Sequence, residues 1–510
     1  MSSQDQTRDA MPTPGFAVVS RLTLQEQVYQ ALRNSLMVGS VTPGQQLTVR
    51  ELAAQMGTSP MPVREAMRRL IAERALELLP NGTVRVRLMS DAERAESREI
   101  RTLLEGMAVA RAASRIEPAE VAEGRRLNAS MRQAIAEGRV DDYILDNQRF
   151  HFLCYRAARS ETLFEIIESL WVQNGPFLRL YVMDTLAHRQ GQVEQDFFAN
   201  HDVLLDAFER RDGEAAARAL TTDIRRTAAT RELDEPDYIR VAFAALRGQG
   251  AVQAAGRRRA AAAAPAMRPP IEAAELPVSP AGRQTLQEQV YRRLQRILIT
   301  GEVVPGQVVT VRSFAEDFGT SPMPVREALR RLAAEGAFEP LPNGSLRVRV
   351  MSATQREHAR EIRALLEGVA VARAAERISP TEMAAAERCN EAMKTAVARG
   401  DLKAASVANL EFHFQLYRAA QSEILTAIIE RLWMQNGPFL MLHLLDYGRR
   451  PRQQRRALFE QHGAILEALA RRDPAAAAAA LVADLMQTQV SLEGQTPLRL
   501  DELRALTRSA

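Results

Sequence analysis

The chain of 510 residues is too long for a single hydrophobic core, and its length suggests three or four domains. Aromatic residues make up only 5% while Ala, Leu and Arg recur throughout, which favours a mainly helical fold over a β-sandwich, and the net charge of +4 excludes no class of partner. Two cysteines, Cys154 and Cys389, exclude a disulfide framework, and the lack of a long apolar run or a signal-like N-terminus leads us to expect a cytoplasmic protein.

The first predicted elements are three helices followed by a β-hairpin. Apolar residues at helical spacing predict a helix over 24–36, and a second helix begins at Thr48 and is broken by Gly57. The third begins at Ser59, where prolines in the first turn fit a helix start because those positions have no intrahelical N–H partner. A Pro-Asn-Gly turn at 80–82 predicts the hairpin. This order is typical of a winged helix-turn-helix, which places its second motif helix in the major groove of DNA.

The third helix has an apolar face and a basic face. Val63 and Leu70 lie on the apolar face, whereas Arg64 and Arg68 lie on the other. Arginine forks onto guanine or phosphate, so the basic face is a candidate reading surface. The alternative is a solvated helix face without a ligand.

The pattern from residue 91 onward predicts helices almost to the end of the segment. Asn147 and His151 lie one helical turn apart and can converge, and His201 and Asp223 follow on later helices. Imidazole and oxygen ligands gathered from several helices of a bundle can hold zinc, nickel or manganese. The alternative is that these histidines are packed core residues.

The whole pattern occurs twice. Residues 59–66 return verbatim at 321–328, and Arg64 and Arg68 return as Arg326 and Arg330. The four candidate ligands return as Asn409, His413, His462 and Asp484. The predicted domains are winged helices at 20–88 and 283–350, helical domains at 91–246 and 352–500, and a flexible Ala-, Pro- and Arg-rich linker at 247–281. Repetition favours the functional interpretation of the arginines, whereas for the candidate ligands it supports metal binding and core packing about equally.

The first part of each copy resembles the N-terminal domain of the GntR transcription factors. The residues that carry the resemblance are the Pro-Gly turn, the Ser-x-x-Pro-Val-Arg-Glu-Ala segment and the glycine-tipped wing. Matched by position, the resemblance implies DNA contacts at Arg50, Ser59, Arg64 and Gly82, and in the second copy at Arg312, Ser321, Arg326 and Gly344. The arginine that usually follows the serine is replaced by Pro60 and Pro322, so the operator should differ accordingly.

The second part of each copy has characteristic segments, which in the first copy are 99–105, 150–151, 200–208 and 211–212. With these segments it resembles the FCD-type effector domain of the FadR subfamily of these regulators. That resemblance implies a bound metal, usually held by one Asp and three His, with a small carboxylate effector beside it. Here Asn147 replaces the Asp and Asp223 replaces the last His. The effector-facing arginines are Arg101 and Arg363, whose alternative role is to pair with Glu105 and Glu367 one turn away.

These features predict a metabolite-responsive transcription regulator. Its partners would be an imperfectly palindromic DNA operator, a small carboxylate and a divalent ion in each helical domain. The fused copies predict a pseudo-dimer within one chain; the alternative is a homodimer with four winged helices. A metal-dependent hydrolase and an architectural DNA-binding protein are the competing functions. No nucleophile or base with motif spacing accompanies the ligands, so we expect no enzymatic activity.

Overall fold

The computed structural model describes residues 23–188, 198–226, 285–449 and 457–490. The linker predicted at 247–281 lies outside these residues, as do the outer ends of the predicted domains. We call residues 23–226 the first copy and residues 285–490 the second copy. None of the described helices is long and apolar enough to cross a bilayer.

Both copies are mainly helical, and each contains one small antiparallel sheet, as predicted. The elements of the first copy are α1 (Leu24–Met37), β1 (Gln46–Leu47), α2 (Val49–Gln55), α3 (Pro60–Ala72), β2 (Leu76–Leu78), β3 (Val84–Val86), α4 (Asp91–Ala112), α5 (Pro118–Ala136), α6 (Val140–Arg156), α7 (Glu161–His188), α8 (Ala199–Glu209) and α9 (Gly213–Arg226). Those of the second copy are α10 (Leu286–Ile299), β4 (Val308–Val309), α11 (Val311–Asp317), α12 (Pro322–Ala334), β5 (Phe338–Pro340), β6 (Leu346–Val348), α13 (Ala353–Arg377), α14 (Pro380–Arg399), α15 (Leu402–Ala419), α16 (Glu423–Arg449), α17 (Ala457–Ala470) and α18 (Pro474–Val490).

The wing is a three-stranded sheet in which the predicted hairpin gains an extra strand. The strand order is β1-β3-β2, all antiparallel, and Gln46 pairs with Arg85. Gly82 forms the turn with a φ of +83°, a conformation that favours glycine. The sequence analysis missed β1 because two residues are too few to show an alternating pattern.

Of the two predicted caps before α2 and α3, only one makes a capping hydrogen bond. Thr48 accepts a hydrogen bond from the backbone N–H of Glu51 and thereby caps α2. Ser59 precedes α3 but makes no capping hydrogen bond with its side chain, and it is exposed. The Ser59 hydroxyl is therefore available to a partner outside the helix. Val63 and Leu70 are fully buried, as the apolar face predicted.

Helix α7 joins the helical domain to the winged helix, which explains the repeated segment around Gly175. A Cβ atom on Gly175 would lie 2.3 Å from the carbonyl oxygen of Leu36 at the end of α1, so only glycine permits this approach. The Gln173 side chain donates to the backbone carbonyl of Glu73 over 3.0 Å. Gly437 makes the same close approach to the carbonyl of Leu298.

The two copies pack against each other through α4 and α13. Arg111 pairs with Glu361 at 2.9 Å, and Arg373 pairs with Glu96 at 3.0 Å and Glu99 at 2.6 Å. These ion pairs are partly or largely buried, and both helices carry a wide apolar face into the shared core. The described parts of the chain therefore form one assembly of two similar halves.

Candidate functional site

The predicted reading surface is open to solvent in both copies. Met61, on the same face of α3, is 59% exposed, and Met323 on α12 is 57% exposed. Each predicted DNA-contacting residue is exposed: Arg50, Ser59, Arg64, Arg68, Gly82, Arg312, Ser321, Arg326, Arg330 and Gly344. The geometry is thus compatible with contacts from every one of them.

Three of these arginines lie close to carboxylates, and one of them, Arg330, is 3.7 Å from Glu327. Arg68 on α3 pairs with Glu327 on α12 at 3.2 Å, so an ion pair joins the two candidate reading helices. Arg312 pairs with Glu316 one turn later at 2.8 Å. The first copy has Ala54 at the position of Glu316, so Arg50 has no carboxylate there.

A buried cluster of two histidines and one aspartate lies inside the first helical domain. His151 Nε2 is 3.6 Å from Asp223 Oδ2, and His201 Nε2 is 3.7 Å from Asp223 Oδ1. One ligand atom from each residue lies within 4.8 Å of the others. Asn147 lines the same small cavity, one turn before His151. The four predicted ligands are thus brought together.

Hydrogen bonds at the opposite ring nitrogens orient both imidazoles. Tyr155 donates its hydroxyl proton to Glu105, so toward His151 Nδ1, 3.2 Å away, it can only accept. His201 Nδ1 lies 3.2 Å from the carbonyl oxygen of Asn128, also an acceptor. Both Nδ1 atoms therefore carry the proton, and both Nε2 lone pairs face Asp223.

The second copy reproduces this arrangement. His413 Nε2 and His462 Nε2 lie 3.5 Å and 3.7 Å from the two carboxylate oxygens of Asp484. Tyr417 contacts His413 Nδ1, and Asn390 contacts His462 Nδ1, each at 3.2 Å. Asn409 is buried one turn before His413. The tautomer argument therefore applies to both clusters.

Burial keeps the imidazoles neutral. It lowers the pKa of His151 and His413 well below the ordinary value, and it lowers the pKa of His201 and His462 to about 3. Burial also raises the pKa of Asp484 to about 7.

The donor set fits a divalent cation. In each cluster, two imidazole lone pairs and a carboxylate face one another at 3.5–3.7 Å, too far apart for a hydrogen bond. Neutral imidazole and carboxylate are also the ligands that zinc, nickel and manganese accept.

Arg101 lines this cavity and also pairs with Glu105. Its Nε donates to Glu105 Oε1 over 2.6 Å, and Glu105 is fully buried and accepts from Trp171 at 3.1 Å as well. The structure therefore confirms the pairing and leaves the guanidinium at the cavity wall. Arg363 and Glu367 form the same pair at 2.6 Å.

The sequence analysis missed the residues that orient the histidines. Tyr155, Trp171 and Asn128 each contact the cluster or its immediate neighbours. Each occurs at the same place in the second copy, as Tyr417, Trp433 and Asn390. The repetition that identified the histidines could have identified these residues too.

Comparison with known proteins places both halves in one family. The family described as "Bacterial regulatory proteins, gntR family" matches residues 24–86 and 286–348, and the FCD domain matches 96–226 and 358–486. The HTH-type transcriptional regulator McbR of Escherichia coli K12 is 33% identical over 208 residues, covering 41% of this chain and 92% of McbR. The HTH-type transcriptional repressor RspR of the same organism is 26% identical over 198 residues, covering 39% of this chain and 84% of RspR.

The chain is also similar to a solved structure. The structure titled "E. coli McbR/YncC" is 31% identical, covers 40% of this chain and 95% of its own, and has a TM-score of 0.38. Each of these relatives matches about two fifths of this chain. The chain thus belongs to the GntR family of bacterial transcription regulators and carries the family's DNA-binding domain and FCD domain twice.

Proposed function

We propose that this regulator reads its operator with α3 and α12 and that a metal ion and a small carboxylate in the helical domains modulate binding. The observation that carries this proposal is the pairing, in each copy, of an exposed basic helix with a buried cluster of oriented ligands. Helix α7 links the two. Its Trp171 contacts the Glu105 network, and its Gly175 lies against the end of α1.

One ion per helical domain would be held by two histidines and one aspartate. Asn147 and Asn409 lie one turn before His151 and His413 and could add a carbonyl oxygen to each set. A bound cation would supply positive charge beside Arg101, and both would attract a carboxylate. The cavity at the first cluster is about 40 Å³, which suits an ion with a few waters. A larger effector would require this cavity to open.

Elemental analysis of purified protein tests the metal site. We expect up to two divalent ions per chain, one fewer in His151→Ala or His413→Ala, and none in the double variant. His358→Ala, a histidine outside both clusters, is the matched control and should keep both ions. Metal-free wild-type protein that cannot be reloaded would return the histidines to the core-packing interpretation.

Operator titration tests the reading surface. Arg64→Ala and Arg326→Ala should each weaken binding by about 1–3 kcal/mol if each guanidinium forks onto a base. Arg126→Ala removes an exposed arginine from the helical domain and should leave affinity unchanged. Unchanged affinity in the double variant of Arg64 and Arg326 would exclude α3 and α12 as the reading helices.

We further propose that one chain supplies both halves of the pseudo-dimer. The inter-copy ion pairs of Arg111 and Arg373, and the pair of Arg68 with Glu327, support this arrangement. Light scattering at low concentration, with and without operator, should give the mass of one chain. A stable mass of two chains on DNA, or a footprint covering four half-sites, would contradict it.

A further inference from the structure

We propose that the cleft between the two copies binds a small dianion, carrying a phosphoryl group or two carboxylates, through Arg74, Arg349 and Arg431. The cleft lies between the winged helices and the helical domains, away from the histidine clusters. It is therefore a second ligand site, beyond the function proposed above. Its walls come from both copies, so a ligand there contacts the DNA-binding and helical domains together.

The cleft is large enough for a metabolite. Its volume is about 440 Å³, within the range of about 300–1,000 Å³ that small-molecule sites occupy. The cavity at the first histidine cluster is about 40 Å³. By volume, the cleft can accommodate a molecule of several heavy atoms better than the cavity at the histidine cluster can.

Three of the six arginines that line the cleft are neutralised by close glutamates, and Arg69 is one of them, paired with Glu26 at 2.7 Å. Arg33 pairs with Glu168 at 2.7 Å, and Arg331 pairs with Glu335 at 3.2 Å. At these distances the carboxylates accept hydrogen bonds from the guanidinium groups. These residues leave little charge for a ligand.

Three other arginines are not neutralised in this way. Arg349 and Arg431 share a single carboxylate, Glu165, at 3.8 Å and 3.9 Å, too far for hydrogen bonds. Arg74 lies 3.9 Å from Glu423, whose side chain is 86% exposed and well hydrated. None of these three guanidinium groups therefore has a hydrogen-bonded carboxylate. The cleft lining as a whole carries six arginines and five glutamates, among them Glu430, which interacts electrostatically with Arg74.

Buried donors without acceptors occur at the same place. Among the described residues that line the cleft, Arg431 Nε and Arg74 Nη1 are buried and have no hydrogen-bond partner. The unpartnered Arg33 Nε, by contrast, lies 3.7 Å from the equally unpartnered acceptor Glu73 Oε2. A buried N–H without an acceptor is unfavourable, so oxygen atoms of an anion would stabilise this arrangement.

Arg74 sits where glycine would be less strained. Its φ is +59°, in the left-handed region, and the second copy has Gly336 there with a φ of +79°. An arginine at this position has a backbone cost that glycine avoids. Arg431 is likewise an addition, since the first copy has Ser169 at the matching position.

Arg349 turns toward the cleft because its local partner has been lost. In the first copy the matching Arg87 pairs with Glu93 at 2.6 Å. The second copy has Gln355 at the position of Glu93, and its neutral amide offers no ion pair. Divergence between the copies has thus added or released all three arginines at one place.

The competing interpretation is that the ion pairs of Glu165 with Arg349 and Arg431 only stabilise the interface between the two copies. The two interpretations predict different effects of Glu165→Gln. A carboxylate that competes with the ligand should, once removed, tighten anion binding several-fold. If these ion pairs only stabilise the interface, no variant should bind an anion.

Calorimetric titration with inorganic phosphate, and separately with malonate, at constant ionic strength tests the proposal. Arg431→Ser and Arg74→Gly install the residue that the other copy already carries, so both should fold, and each should weaken binding about tenfold or more. Arg126→Ser is the matched control and should bind as wild type does. Binding of neither anion to wild-type protein, or equal binding by the Arg431→Ser and Arg126→Ser variants, would overturn the proposal.

One variant separates this site from the proposed metal site. The double variant His151→Ala, His413→Ala should bind phosphate with unchanged affinity, because both substitutions lie outside the cleft lining. Loss of metal with retained anion binding supports two independent sites. Loss of anion binding in this variant would assign the anion to the histidine clusters instead.

Discussion

The two copies agree inside their helical domains and differ where they meet. The buried clusters match residue for residue, down to the tyrosine and asparagine that orient the histidines. At the interface, Glu96 of the first copy faces Arg373, whereas the matching residue of the second copy is His358, close to Arg111 and Arg115. Residues that depend on one another inside one copy have stayed together, while facing surfaces have become different from each other.

Arg373 and Arg111 occupy matching positions in the two copies. Their replacement is expected to give the largest difference between the copies, in the free energy of unfolding. Arg373 is 5% exposed and holds two carboxylates, whereas Arg111 is 12% exposed and holds one. Arg373→Ala should lower the free energy of unfolding by about 3 kcal/mol because it leaves two partly buried carboxylates unpaired. Arg111→Ala should lower it by about 1–2 kcal/mol.

Urea denaturation of both variants measures this difference, with Arg126→Ala as an exposed control. Equal losses from the two substitutions would mean that the interface is energetically symmetric despite its sequence.

A smaller difference is expected between Arg50 and Arg312 in how much each contributes to the salt dependence of operator binding. Arg312 is engaged by Glu316, while the first copy has Ala54 at that position. Arg50→Ala should therefore reduce the salt dependence of operator binding by about one phosphate contact, and Arg312→Ala by less. Affinity measured across a salt series gives both slopes. A larger change for Arg312 would show that Glu316 releases it on DNA.

The smallest expected effect is a pH dependence of folding stability that arises from His358, on the second copy's side of the interface. Burial and the nearby Arg111 and Arg115 lower the pKa of His358, an effect that Glu357 partly opposes. Because the folded-state pKa lies below the ordinary value of 6.5, the unfolded chain takes up the proton first as the pH falls. The stability that the neutral His358 contributes to the folded state is fully present above pH 6.5. It declines as the pH falls through the folded-state pKa of this histidine.

Melting curves between pH 8 and pH 5 test this dependence. His358→Gln should lose less stability than wild type on acidification, and His358→Glu should behave similarly because it restores the residue type of the first copy. Parallel curves for all three proteins would exclude His358 as the titrating group.

Much of the fold could be predicted because it is encoded in local patterns. Helical spacing, the Pro-Asn-Gly turn and the verbatim repeat located the reading helices and the hairpin. The cluster of two histidines, one aspartate and one asparagine was also predictable, since Asn147 and His151 share a helix face and every member recurs in the second copy.

The cleft could not be predicted because it is a property of the assembled halves. Arg74, Arg349 and Arg431 come from two winged helices and a distant helix, and no spacing in the sequence relates them. The partner of Arg68 across the interface was hidden for the same reason. Single substitutions between the copies, such as Glu93 to Gln355, become informative only when the neighbours in space are known.

The presence of two histidine clusters in one chain also changes the number of distinguishable ligation states. A symmetric dimer with one site per subunit has three distinguishable ligation states, since its two half-filled forms are the same molecule. Here the two sites lie in one chain with unequal surroundings, so the half-filled forms are different molecules and four states exist. Under the proposed function, filling the first copy and filling the second would set different arrangements of α3 and α12. One chain on one operator would then give a graded response to effector concentration, with an intermediate level.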